Sequence, residues 1–263
     1  MKQRKGHIAF IAIGDDSPIE LSGQSAANAA EARPVDAGIS YSQAAWNLAE
    51  QGWHVDVFAH QSKPREVEHP RYREIFLPIT LDDQIDRVLE SLDAAVQAFM
   101  RYQGSQGVLY PIIHTHCWAS AWIGARIKQH QLLRLVHTYQ GPSCPTNPTH
   151  SAGQPAASRA ADIERGCLGT IDCLIVTDAA LLPTATDVFS SDLTDNLYKL
   201  RLIRPTAADL TSAQFVEQLN VVYREQIDLL CHQFFFTSSG PYESQPVRPA
   251  AVSQEPTPGP TSR

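Results

Sequence analysis

Residues 110–141, YPIIHTHCWASAWIGARIKQHQLLRLVHTYQG, constrain the fold more than any other part of the chain. Pro111, Ile112, Ile113 and His114 form a short apolar run of strand length, and residues 132–138 form a second one rich in Leu and Val. Between them Trp118, Ala121, Trp122, Ala125 and Ile127 recur at helical spacing, while Arg126 and Lys128 supply a polar side and favourable charge in the last turn. Two strands joined by one helix pair in parallel as a right-handed βαβ unit, whose ligands lie beyond the carboxyl ends of the strands. Here those ends are His114-Thr115-His116-Cys117-Trp118 and His137-Thr138-Tyr139-Gln140-Gly141, a concentration of polar and aromatic side chains for which a sheet core has no use.

The rest of the chain repeats this alternation. Residues 7–13, HIAFIAI, are apolar on both faces, as a central strand of a parallel sheet requires. Asp36 to Ser40 opens a helix that carries Ala44, Ala45, Leu48 and Ala49 and ends at Gly52, and residues 53–59 return as a strand. Residues 73–78 predict a short strand and residues 85–99 an amphipathic helix, with Gly104 and Gly107 bracketing its exit. A helix over 156–167 and a strand over 172–177 follow. Alternating strands and helices predict an α/β fold, a single Rossmann-like doubly wound parallel sheet. Residues 14–36 show no periodicity, which leaves an ordered loop over the sheet edge and a mobile flap both open. Phe215, Val216, Leu219, Val222, Tyr223, Ile227 and Leu230 make one stripe of a long terminal helix. The predicted organisation is therefore a sheet domain over 1–200, an amphipathic helix over 201–238 packing back on it, and a disordered Pro- and Ser-rich tail over 239–263.

Composition removes several functional classes. The chain has 263 residues, of which 43% are hydrophobic, enough for a sizeable core. Its formal net charge of -7 argues against a nucleic-acid partner, which leaves a basic footprint. No run approaches the ~20 apolar residues of a membrane span, and no secretion signal is evident at the amino end. The five cysteines are odd in number and scattered, which suits a reducing cytoplasm. Cys167 and Cys173 lack metal-site spacing and read as small buried apolar groups. His116 beside Cys117 brings no third or fourth ligand at usual spacing, so no metal is expected. Trp118 and Trp122, four apart on one helix face, read as packing rather than a sugar-stacking platform. No G-x-S-x-G elbow marks a hydrolase, and no G-x-G-x-x-G marks a dinucleotide site.

In this order along the chain, HIAFIAI, DAGIS, GWHVDVF, YPIIHTHCWASAWIG, LVHTYQG and IDCLIVT resemble the amino-terminal half of sucrose-phosphate synthases and related retaining glycosyltransferases of the GT-B fold, in glycosyltransferase family 4. The resemblance implies two facing Rossmann-like halves in the family. The first holds the acceptor, fructose 6-phosphate in the synthases; the second holds the nucleotide sugar; a terminal helix crosses back onto the first. It also implies ligand-binding candidates in this chain: Gly38, Ser40, His114, Cys117, Trp118, His137, Gln140 and Arg159.

Measured against that pattern, the chemistry is depleted. The family's GGQ loop reads Gly38-Ile39-Ser40 here. HTNYW becomes His114-Thr115-His116-Cys117-Trp118, and VHTYHSLG becomes a segment in which Gln140 stands at the active-site histidine. Glutamine hydrogen-bonds a sugar but takes no proton at neutral pH. Asp82 and Asp83 stand where a phosphate-holding basic residue is expected, leaving Arg159 as the phosphate-binding candidate. Some thirty residues separate Thr177 from Thr211, where the nucleotide-sugar half needs about 100 or more. The expectation is a non-catalytic acceptor half with no catalytic residue, cofactor or metal, serving in sugar-phosphate or partner binding. The expected partners are a sugar phosphate, a full-length glycosyltransferase relative or a second copy of the chain. The alternative is the acceptor half of an active retaining hexosyltransferase whose nucleotide-sugar half is on another chain. The resemblance further suggests that Gly38, Trp118, Tyr139 and the loop over 142–155 border an open, partner-docking edge.

Overall fold

A computed structural model describes residues 6–13, 19–20, 38–39, 41–60, 69–80, 85–139, 155–177, 185, 200–203 and 212–238. The strands are β1 (His7–Ala12), β2 (Ile19–Glu20), β3 (Gly38–Ile39), β4 (His54–Ala59), β5 (Tyr72–Phe76), β6 (Ile112–Thr115), β7 (Arg134–Tyr139), β8 (Cys173–Val176) and β9 (Leu200–Leu202). The helices are α1 (Tyr41–Glu50), α2 (Ile85–Gln106), α3 (Trp118–Lys128), α4 (Pro155–Cys167) and α5 (Ser212–Ser238). Seven strands form one sheet in the order β5-β4-β1-β6-β7-β8-β9, and every pairing in it is parallel. This is the expected α/β doubly wound architecture. The strand order reverses between β1 and β6, which is the topological switch point of the sheet.

The two-residue alternation of each central strand divides the core. Ala9 and Ile11 of β1 face a layer built with Phe99, Ala121 and Leu135, under α2, α3 and α4. Ile8 and Phe10 face the opposite layer, with Ala44, Leu48, Ile112, Phe215 and Leu219, under α1 and α5. The terminal helix thus lies on the sheet: Phe215, Val216, Leu219 and Tyr223 are fully buried there. Polar contacts fix its position, because the Trp53 indole N–H donates to Asn220 Oδ1 and the Asn220 amide donates to Gln51. Arg201 on β9 pairs with Glu225 at 3.2 Å on the helix's outer flank.

The local chemistry explains the boundaries. Gly52 takes φ 97° just past α1, and its N–H bonds Ala49 O while that of Trp53 bonds Leu48 O, a glycine-terminated helix end. At the other end of α1 the sequence expectation fails. Gly38 and Ile39 are not helical; they pair antiparallel with Glu20 and Ile19, and the helix begins at Tyr41. Backbone pairing with a distant segment has overridden the local signal. The strand β9 was also not anticipated, since three residues carry too little periodicity to register. Ser40, Asp82, Asp83, Gln140, most of 14–36 and the predicted tail lie outside the described residues. Among the described residues no helix is long and apolar enough to cross a membrane.

Candidate functional site

The carboxyl edge of the sheet is where the sequence concentrates its chemistry, and the structure shows what those side chains do. In β6 and β7, Ile113 and Leu135 fill one face while His114 and Thr138 turn to the other. His114 is 1% exposed and sits beneath α5. Its Nδ1 shares a 2.5 Å hydrogen bond with the Tyr223 hydroxyl, and its Nε2 shares one of 2.8 Å with Thr138 Oγ1. Phe10 packs against the same ring with centroids 4.9 Å apart. Burial, reinforced by His116 and His137, holds the His114 pKa well below the usual histidine range. Its imidazole is neutral, one nitrogen donating and the other accepting, with both hydroxyls able to take either role.

The neighbouring residues make the mirror arrangement on the other face. His137 is fully buried, its Nε2 donating to Glu164 Oε1 at 3.1 Å and its Nδ1 meeting Thr115 Oγ1 at 2.9 Å. Thr115, His137 and Glu164 have the connectivity of a nucleophile, a base and an orienting acid. Thr115 is 0% exposed, however, so no substrate reaches its hydroxyl, and the trio joins α4 to the sheet instead.

At the switch point, His116 is buried beside the backbone of Ile11 on β1 and of Ile13 just past its end. Burial, then His137, lowers its pKa to about 3, so it too is neutral. Cys117 is buried at the start of α3, with its Sγ 3.2 Å from Ile13 O. Burial raises its thiol pKa, the opposite of an activated thiolate. The amides of His116 and Cys117 both donate to Ser120 Oγ at 3.0 Å. Backbone amides at such an edge commonly bind anions; here a serine in the first turn of α3 has taken both.

The remaining candidates disperse. Trp118 is 5% exposed and Tyr139 1%, so neither borders an open edge, and the aromatic docking surface expected there is corrected to core packing. Trp118 was dictated by its place on the helix's apolar face, as the packing argument anticipated. Gly38 contributes backbone to the short β2–β3 ladder. Arg159 is exposed on α4 and holds Asp86 of α2, with Nη2 to Oδ1 at 2.6 Å and Nη1 to Oδ2 at 3.3 Å. A carboxylate thus occupies the fork by which a guanidinium grips a phosphate. Among the described residues no cluster of three or more His, Cys, Asp or Glu could hold a metal ion.

Sequence reasoning missed the partners: Thr115, Thr138, Glu164, Ser120, Asp86 and Tyr223 as a hydrogen-bonding group. Two of them carried a signal. Glu164 lies in line with Ala160 and Cys167 on the inward side of α4, and Tyr223 puts a hydroxyl into the apolar stripe of α5. Each buried polar group needs a counterpart.

The fold and this edge frame the comparison with known proteins. The chain matches the model of Glycosyltransferase Family 4 over residues 38–184, more than half its length. The chain belongs to glycosyltransferase family 4. A solved chain of sucrose-phosphate synthase from Thermosynechococcus elongatus superimposes with a TM-score of 0.53 at 24% identity, covering 83% of this chain and 98% of that one. A longer chain of that synthase gives 0.52 at 26% identity, covering 76% of this chain and 48% of that one. The family 4 chain described here therefore spans about half of the longer synthase chain. No curated protein sequence matches it.

Proposed function

We propose that this family 4 domain is a non-catalytic acceptor half with a regulatory role, binding a sugar phosphate or a protein partner. The partner in the second case is a full-length glycosyltransferase relative or another copy of the chain. One observation carries the reading. The described side chains that the family resemblance marks for ligand work are engaged by the chain's own groups: His114 by Tyr223 and Thr138, His137 by Thr115 and Glu164, Cys117 by Ile13, Arg159 by Asp86. Gln140 at the family's histidine position supports the same reading, because an amide cannot carry a proton through a transfer step. So does the interval between β8 and α5, residues 177–211, which is far short of the about 100 residues of a small second domain.

Titration calorimetry tests this reading. UDP-glucose, UDP and ADP-glucose are expected to give no saturable heat, because the half that would grip the diphosphate has no room between β8 and α5. A dissociation constant tighter than ~100 µM, about −5.5 kcal/mol, for any of the three would overturn it. Fructose 6-phosphate in the same cell tests the sugar-phosphate arm, and a pull-down from native lysate tests the partner arm.

A further inference from the structure

We infer that the last turns of α5 overhang the amino edge of the sheet and pair there, antiparallel, with the same helix end of a second copy of the chain. This rests on the self-association arm of the reading above and names its surface. The course of the helix sets the overhang. Tyr223 meets His114 near the carboxyl end of β6, whereas a Cβ on Gly6 would lie 3.5 Å from Pro111 Cγ and 3.9 Å from Ile227 Cδ1, so Ile227 already stands where β1 and β6 begin. The helix continues to Ser238, about 16 Å further at a rise of 1.5 Å per residue. Its apolar stripe continues with it. Tyr223, Ile227, Leu230 and Phe234 follow one another at helical spacing and share one face. Tyr223 is fully buried, Ile227 and Leu230 are partly buried, and Phe234 is 56% exposed, with exposed Leu229 on the flank.

The edge beside the overhang is apolar as well. Leu109, 78% exposed, lies two residues before Pro111, and exposed Leu132 lies two before Arg134, whose amide donates to Pro111 O. Overhang and edge are two walls of an apolar corner. A second copy of the overhang, related by a two-fold axis, packs against both walls while its own corner receives the first, as a self-complementary interface requires. One helix–helix and two helix–edge contacts, each ~16 Å long and ~10 Å wide, remove on the order of 1,000 Å² from water counting both sides, the size at which specific interfaces begin. Charge permits the pairing: the chain carries a formal -7, yet no Asp, Glu, Lys or Arg stands between Leu229 and Ser238. The chain's own continuation is a poorer occupant, because residues 239–263 offer only Tyr242, Val247 and Val252 as sizeable apolar side chains beside prolines and alanines.

The experiment is sedimentation velocity of the full chain, wild type beside Phe234→Glu and Leu132→Glu, one variant on each wall of the corner. Both side chains are more than half exposed, so the fold is expected to survive, and circular dichroism checks it on the same samples. Should Phe234→Glu fail to fold, Leu132→Glu carries the test. Wild type is expected to pass from monomer to dimer between about 1 and 100 µM, and each folded variant to weaken the dimer about tenfold or more. Cys231, exposed on the overhang, gives the second readout. In a Cys144→Ser background a short bis-maleimide is expected to join the Cys231 side chains of two copies, and Phe234→Glu or Leu132→Glu to suppress that product. A wild type that stays monomeric throughout overturns the inference and leaves the sugar-phosphate arm and the arm with a full-length relative standing. A dimer that neither folded variant weakens, or one without the Cys231 cross-link, overturns this interface while supporting self-association through another surface.

Discussion

His114 and His116 show how a buried histidine converts into acid sensitivity. Burial holds both below the ordinary value of 6.5, His116 at about 3. The sign follows from which state takes up protons. Near pH 6.5 the unfolded chain protonates these imidazoles while the folded one does not, so their contribution is complete above about 6.5 and drains as pH falls toward the folded values. The midpoint of urea unfolding is accordingly expected to decline steadily between about pH 6.5 and 4. His116→Asn should flatten that decline; an unaltered slope would remove His116 from the account. Tyr223→Phe makes a complementary case. It deletes one hydroxyl and leaves the buried His114 ring without that contact, at a cost of about 1–3 kcal/mol. Chemical denaturation of the pair of proteins measures it. Arg159→Ala is different, because the pair with Asp86 is exposed on both sides and such surface pairs contribute roughly 0–1 kcal/mol.

Two helices carry the element-scale predictions. In α3 the face against β7 is set by Gly124, where a Cβ would lie 2.6 Å from Leu135 Cδ1 and 3.0 Å from Thr115 Cγ2. Leu135 and Thr115 are both fully buried, so they have nowhere to retreat. Gly124→Ala is therefore expected to destabilise by about 1–3 kcal/mol through overpacking, despite the better helix propensity of alanine. A gain in melting temperature would show that the α3–β7 packing is looser than described. In α5, Leu219 is 0% exposed within the layer shared with Ile8, Phe10 and Leu48. Leu219→Asp places an unpaired carboxylate in that layer and should cost about 3–5 kcal/mol, a large fraction of a typical domain's stability. Equilibrium unfolding checks it. The length of the stripe in α5 was legible from its 3.6-residue repeat, whereas its polar anchors, Asn220 to Trp53 and Tyr223 to His114, were not, since their partners are far away in sequence.

At the scale of the whole molecule, one sheet is covered on both faces, and α5 belongs to the same core layer as β1 and β6. Because the Trp53 indole bonds Asn220 on α5, its fluorescence reports whether that helix is docked. In a variant that keeps Trp53 as the sole tryptophan, the fluorescence and far-ultraviolet dichroism transitions should coincide, as for one cooperative unit. A fluorescence change at lower denaturant would mean that α5 undocks before the sheet melts. The match covers 98% of one sucrose-phosphate synthase chain but 48% of a longer one.

The sequence by itself determined the parallel sheet, its helices and most of its strands, because a strand buried on both faces and a helix buried on one leave periodic signatures within a few residues of chain. It likewise placed His114, Cys117, Trp118 and His137 at the carboxyl edge, since the end of a strand is visible where its apolar run stops. Only the tertiary structure decided which way those side chains turn and what satisfies them. His114 meets Tyr223 across 109 positions and His137 meets Glu164 across 27, and a hydrogen bond between distant segments has no local trace. Gly38 and Ile39 teach the same lesson in the backbone, where a two-residue ladder with Ile19 and Glu20 outweighed a helix-opening signal. Periodicity records burial, which each residue experiences on its own; partnership belongs to pairs, and pairs form only when the chain has folded.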